Sequence, residues 1–333
     1  MSMLFSPIKV KHYEFQNRIV MPPMASEKAT EAGAVTDKTI AYYVERAQEK
    51  LGAVIVEHNF ISENGRFSRR QLSVADNGKI PGLAKLANQI KAYGAVAILQ
   101  ISHAGALALN WETESPFSPS GIPTPRKKDI HPRVMSYGDI AQVKADFIKA
   151  AERAVESGFD GVEIHGAHGY LLNQFNSPVT NVRQDQYGGS REKRARLSLE
   201  VAEAVKTVLK DRLLLFRLGA VDQYEGGLTT PDAVWIAREL SRKGVDIMDI
   251  SGGLGGYKAT KNSEGHFVPV AAEIKQNLTI PVIVTGGITS ANYAEKVVAE
   301  KGLDFVGIGR ALLSRPDWPS LAREKLLGPQ LGQ

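Results

Sequence analysis

Gly158-Phe159-Asp160-Gly161-Val162-Glu163-Ile164-His165-Gly166-Ala167-His168 joins a helix-ending glycine, a short apolar strand and a turn bearing two histidines. Upstream, Ile140, Val143, Phe147, Ile148 and Val155 share one stripe of a helix expected over Gly138–Ser157. Gly158 takes the position just past its C-terminus. The strand Gly161–His165 is short and mostly apolar, as expected of a parallel strand covered on both faces. This unit of helix, glycine and buried strand recurs along the chain.

Further strands are expected at Arg18–Met21, Ala53–Glu57, Val96–Ser102, Leu213–Leu218, Ile247–Ser251, Pro281–Thr285 and Phe305–Gly309. Helical patterns fill Asp37–Lys50, Gly82–Tyr93, Ser190–Leu209, Pro231–Lys243, Ala271–Asn277, Ala291–Lys301 and the segment from Asp317. Eight strand–helix repeats without a break in composition predict one (β/α)8 TIM barrel domain over 1–333. A doubly wound open sheet would have fewer strands or a second domain. The longest irregular stretch, Trp111–Tyr137, follows the third strand and carries Pro116, Pro119, Pro123, Pro125 and Pro132. A loop of that length inside a compact fold is usually functional, and it is expected to cap the barrel mouth.

Composition narrows the function classes. The 333 residues are 43% hydrophobic, enough for a large core, and contain no cysteine. Disulfides, a thiolate-ligated iron–sulfur cluster and a cysteine nucleophile are therefore excluded. The net charge of +5 is spread over 41 basic and 36 acidic residues, too diffuse for a nucleic-acid partner. The densest basic run, Arg126-Lys127-Lys128, reads as a solvated loop. Met1–Pro7 lacks the charged-then-apolar order of a signal peptide, and no run approaches the ~18 apolar residues of a membrane span. A cytoplasmic protein without membrane contact is expected.

In a barrel the site lies at the C-terminal ends of the strands. Residues there include Pro22, Pro23, Met24, Ala25, His58, Gln100, His103, His165, His168, Tyr170, Arg217, Gly286, Gly287, Gly309 and Arg310. The loops after strands seven and eight suit a phosphate: Gly286, Gly287 and Gly309 allow close backbone approach, and Arg310 adds a charged partner. His165 and His168, three apart, could grip a carbonyl oxygen or anion. A metal pair is the other reading, but no third ligand completes it, so no metal is expected. Tyr170 is a candidate proton donor. Arg217, at the end of an apolar strand, calls for an acidic or electron-rich ligand.

These residues resemble the Old Yellow Enzyme family of FMN-dependent ene reductases, on its bacterial single-domain branch. The likeness runs from Leu4-Phe5-Ser6-Pro7-Ile8 and Asn17-Arg18-Ile19-Val20-Met21-Pro22-Pro23-Met24 to Gln100-Ile101-Ser102-His103-Ala104-Gly105. It continues in His165-Gly166-Ala167-His168-Gly169-Tyr170-Leu171-Leu172, in Asn181-Val182-Arg183-Gln184-Asp185-Gln186-Tyr187-Gly188-Gly189-Ser190 and in Gly307-Ile308-Gly309-Arg310. The resemblance implies bound FMN, with NADPH or NADH as reductant. It implies that Pro22, Pro23, Met24 and Ala25 line the flavin ring, Gln100 bonds its pyrimidine edge and Arg217 faces its N1–C2 side. Gly286, Gly287, Gly309 and Arg310 would hold the phosphate. His165 and His168 would bind the oxygen of an α,β-unsaturated carbonyl substrate, and Tyr170 would protonate its α-carbon in a ping-pong hydride transfer.

Several positions depart from the family's pattern. Ala25 stands where relatives often carry Cys or Thr, and Glu27 where a substrate-facing Tyr is common. His58 occupies a usually small position beside the flavin, and Ala106-Leu107 follow Gly105 where a basic residue is usual. No Arg follows Arg323, whereas some relatives extend one into a neighbouring subunit's site. The flavin site is thus largely kept and the substrate rim rewritten. The leading expectation is a homo-oligomeric, NAD(P)H-dependent ene reductase. A flavin-dependent redox-neutral isomerase, an oxidase or demethylase of a dedicated metabolite, and a flavin-free barrel isomerase or lyase stay open.

Overall fold

The computed structural model describes residues 2–109, 116–257 and 263–328. Eight parallel strands close a barrel: β1 Ile19–Met21, β2 Ala53–Phe60, β3 Val96–Ser102, β4 Gly161–Gly166, β5 Leu213–Gly219, β6 Ile247–Ser251, β7 Val282–Val284 and β8 Phe305–Gly307. The ring closes where Val306 of β8 stands opposite Ile19 of β1. Every expected strand is present, with ends shifted by a few residues.

Helices Asp37–Ala47, Ile80–Lys91, Tyr137–Glu156, Arg191–Leu209, Thr230–Arg242, Val268–Gln276, Ala291–Ala299 and Trp318–Leu327 cover the outside. Thr36, Ser136 and Thr229 open three of them with reciprocal capping boxes, satisfying first-turn N–H groups. The helix expected from Ala271 starts at Val268, because Pro269 suits a first turn. Short pieces escaped the sequence reading: a hairpin of Ile8–Val10 with Tyr13–Phe15, a pairing of Phe117–Ser118 with Arg133–Val134, and helices Leu171–Asn176 and Arg310–Ser314. None is long enough to show a period.

Side chains alternate across each strand and so sort into two cores. Val54, Leu99, Ile164, Phe216 and Ile250 face the helices. Ala53, Ile55, Val96, Ile98, Leu213, Leu215, Ile247, Ile283 and Phe305 fill the barrel interior. The N-terminal hairpin plugs this interior from below: Val10 and Phe15 join the same cluster, with the Phe15 and Phe305 rings 4.9 Å apart. Higher up, the inward positions turn polar. Gln100 stands opposite Glu163, Arg217 opposite Asp249, and His165 opposite Arg217. The barrel therefore has an apolar floor, a charged middle and a polar mouth.

Part of the expected cap, residues 111–115, lies outside the described residues. From Pro116 to Ser136 the cap is pinned by Arg183, whose Nη1 donates to the carbonyls of Pro119 and Met135 at 2.7 Å each. Asp185 holds the same guanidinium at 2.6 Å. Among the described residues no helix is long and apolar enough to cross a membrane.

Candidate active site

A cavity of about 450 Å³ opens at the C-terminal ends of the strands, within the usual ~300–1,000 Å³ of ligand sites. Pro22, Pro23, Met24 and Ala25, which follow β1, form one wall together with His58 of β2. Gln100 of β3 and Arg217 of β5 reach it from the barrel interior. His165, His168 and Tyr170, at and after the end of β4, line it too. Gly286, Gly287, Gly309 and Arg310 complete the far end.

Two residues expected at the rim do not line the cavity. Glu27, expected to bind substrate, does not line the cavity; it is exposed, and its carboxylate accepts from Ser68 Oγ at 2.5 Å. Its φ is 54°, and its charge still adds to the rise in the Tyr170 phenol. His103 also misses the cavity: it is buried, stacked on Phe117 at 4.9 Å, and its Nδ1 accepts the Gly105 N–H. It is a packing residue that seats the cap, with burial pushing its pKa down to about 3.

The histidines that do line the site are uncharged. Burial is the main cause, lowering His58 to about 4 and holding His165 and His168 well below the ordinary imidazole range. The positive charge of Arg217 adds to all three shifts. His165 Nδ1 faces the Ala167 N–H at 3.4 Å, which leaves Nε2 as the protonated nitrogen. His168 Nε2 pairs with Ser251 Oγ at 2.6 Å, so a donating hydroxyl there leaves Nδ1–H free to donate. The rings lie 5.0 Å apart at 78°. His168 sits in the left-handed region at φ 58°, an unusual conformation for a non-glycine residue. Its N–H bonds the Gly252 carbonyl at 3.0 Å, which helps to hold that turn. Tyr170 packs against His165 at 4.5 Å between ring centres, and burial raises its phenol well above the ordinary value. Tyr170 therefore keeps its proton at any working pH.

Arg217 has a partner that the sequence reading missed. Its Nε lies 3.2 Å from Asp249 Oδ2, one strand over, and both side chains are buried. Its contacts to Ser251 Oγ and Thr285 Oγ1 are long, 3.5 and 3.4 Å. Gln100 donates to Glu163 Oε1 at 2.7 Å beside this pair. Glu163 and Asp249 are both pushed up, chiefly by burial, so the two carboxyls beneath the cavity hold a proton readily.

At the far end Gly286 and Gly287 have φ of 130° and 72°. A Cβ on Gly287 would stand 2.9 Å from Arg310 Nη2, so the guanidinium lies directly over bare backbone. No carboxylate among the described residues pairs with Arg310. This is the donor set of an anion site, exposed amides beside an arginine. The cavity thus offers a phosphate cradle, a flat wall of prolines and methionine with a cation at its floor, and polar hydrogens at the mouth. These features fit FMN.

The sequence profile of the NADH:flavin oxidoreductase / NADH oxidase family matches residues 3–327. The chain belongs to this family. It is 38% identical over 332 residues to the NADH oxidase of Thermoanaerobacter brockii, covering 96% of this chain and 50% of that protein. It is 38% identical over 327 residues to the NADPH dehydrogenase of Geobacillus sp. (strain WCH70), covering 98% and 95%. The chain therefore spans about half the length of the first relative and nearly all of the second. The solved old yellow enzyme homologue of Zymomonas mobilis superposes with a TM-score of 0.85 at 26% identity, over 97% of this chain and 93% of that one. The Old Yellow Enzyme resemblance read from the sequence is thereby confirmed, with FMN as cofactor and NAD(P)H as reductant.

Sequence reasoning missed Phe67, Arg126 and Tyr257, which also line the cavity. Arg126, read as part of a solvated run, bends back over the mouth and donates from Nη1 to the His168 carbonyl at 2.7 Å. No local signal marks this contact, because it exists only once the cap has folded.

Proposed function

We propose that this Old Yellow Enzyme family member reduces the activated C=C bond of α,β-unsaturated carbonyl compounds with NAD(P)H, in two separate half-reactions. The observation that carries the reading is the neutral pair His165 and His168 with the protonated Tyr170 beside it at the cavity mouth. When bound, FMN supplies the capacity to accept a hydride and hand it on.

The chain's own residues do the rest. Each neutral imidazole can give one N–H to a carbonyl oxygen, and fixed donors stabilise the negative charge that grows there in the transition state. Because the rings start neutral, the site does not trap anions as tightly as an imidazolium pair would. Tyr170 supports delivery of a proton to the α-carbon, and its high pKa suits a weakly acidic donor facing an enolate-like carbon. Arg217 and Gln100 would meet the ring from the barrel interior, where the arginine's charge would support negative charge on it, and Asp249 lies 3.2 Å from the same guanidinium. Gly286, Gly287, Gly309 and Arg310 would hold the phosphate, and Pro22 to Ala25 and His58 the ring.

The test is anaerobic NAD(P)H consumption by the FMN-loaded protein with cyclohexenone and with maleimide. Turnover of either supports the proposal. Rapid reduction by NAD(P)H with no acceptor turnover would overturn it.

A further inference from the structure

Three arginines line the cavity, Arg126, Arg217 and Arg310, and no aspartate or glutamate among the described residues does. Arg310 stands over the phosphate cradle and Arg217 sits at the barrel centre against Asp249. The phosphate and ring of a bound FMN would account for these two cations. Arg126 is left without a task.

Its position is defined from two sides. Nη1 donates to the His168 carbonyl, within the turn that carries the imidazole pair. On the adjoining loop after β6, a Cβ on Gly256 would lie 3.7 Å from the Arg126 Cζ. The guanidinium therefore stands where the loops after β4 and β6 adjoin, next to the histidine pair. Its charge is felt inside: it contributes to holding His165 and His168 neutral and partly offsets the rise in the Tyr170 phenol. No carboxylate among the described residues pairs with it. The neighbouring cation is spent elsewhere, with Lys127 Nζ turned to the Leu107 carbonyl and the Phe67 ring. If Arg126 were only a strut for the His168 turn, one neutral donor would suffice, whereas a guanidinium brings five N–H donors and a permanent charge.

We propose that Arg126 is a specificity residue that selects acceptors bearing an anionic group, a carboxylate above all, close to the unsaturated carbonyl. The inference rests on the ene-reductase reading, which places the carbonyl oxygen on His165 and His168 and so brings the next substituent under Arg126. The same guanidinium could instead meet a phosphate of the nicotinamide nucleotide, and the experiment separates these sources.

FMN-loaded wild-type, Arg126→Gln and Arg126→Lys proteins are compared with 4-oxopent-2-enoate and its methyl ester, following reoxidation and reduction as separate half-reactions. In parallel, 4-hydroxybenzoate and its methyl ester are titrated as non-reacting ligands. Arg126 is exposed, and an ion pair at an exposed site is worth up to roughly fivefold in affinity. Arg126→Gln should therefore cut the acid-over-ester preference by about that factor in both kcat/KM and ligand binding, more at low salt than at high. Arg126→Lys should keep part of it. Equal losses for acid and ester would show a strut and overturn the proposal. A loss confined to reduction by NAD(P)H would assign the anion to the nucleotide and overturn it too. If wild type reduces neither acceptor, the ene-reductase reading fails by itself, and the hydroxybenzoate pair still decides whether Arg126 selects a carboxylate.

Discussion

Removing the imidazoles gives the sharpest quantitative test of the site. His165 is buried and His168 half-buried, both are held neutral, the rings lie 5.0 Å apart, and each has one N–H to offer. A hydrogen bond to a charged oxygen contributes about 1.5–3 kcal/mol. Losing two should weaken a phenolate ligand by about 3–6 kcal/mol, or 10²- to 10⁴-fold. The variants need care because His168 has φ 58°, a strain that the histidine's own Cβ already carries, so alanine removes the ring without relieving it. Asparagine tolerates that conformation and keeps a donor, so His168→Asn should lose less than His168→Ala. The assay is titration of FMN-loaded protein with 4-hydroxybenzaldehyde, read as long-wavelength charge-transfer absorbance, together with flavin retention after gel filtration. The pH profile carries a sign. Because both imidazole pKa values are lowered, the rings stay neutral from pH 6 to 9 and only the phenol's own ionisation should shape the affinity. Binding to an imidazolium would instead weaken as pH rises through the imidazole pKa. Less than threefold loss in the double alanine variant, or an affinity that falls between pH 6 and 7, would refute the donor-pair assignment.

Other outcomes follow from the same geometry. Tyr170→Phe should slow reoxidation by an enone at least tenfold while leaving reduction by NAD(P)H normal, and stopped-flow absorbance separates the two. Ala25 lines the cavity without a side-chain donor, so Ala25→Cys should shift the flavin midpoint potential by tens of millivolts in dye-coupled potentiometry. Phe15 is 2% exposed and plugs the barrel floor against Phe305. Phe15→Ala should therefore cost about 3–5 kcal/mol, seen as a lowered urea midpoint.

Much of the site was readable because barrel strands are short, apolar and regularly spaced, so the residues just past each one must meet at the mouth. That logic placed Pro22 to Ala25, His58, Gln100, His165, His168, Tyr170, Arg217 and the glycines with Arg310 in one cavity. It failed at His103, which also follows a strand. Cap packing covered that ring. Strand position sets where a side chain starts, not which way a loop bends next.

The sequence by itself therefore determined the barrel, the absence of any thiol chemistry and the family, since periodicity, composition and local motifs are properties of neighbouring residues. Tertiary structure alone decided the rest. Asp249 meets Arg217 because two strands pair in one register. Arg126 reaches His168 because Arg183 pins a cap whose ends are far apart in the chain. Such contacts are set by inter-strand register and loop closure over many residues, and no local pattern records either.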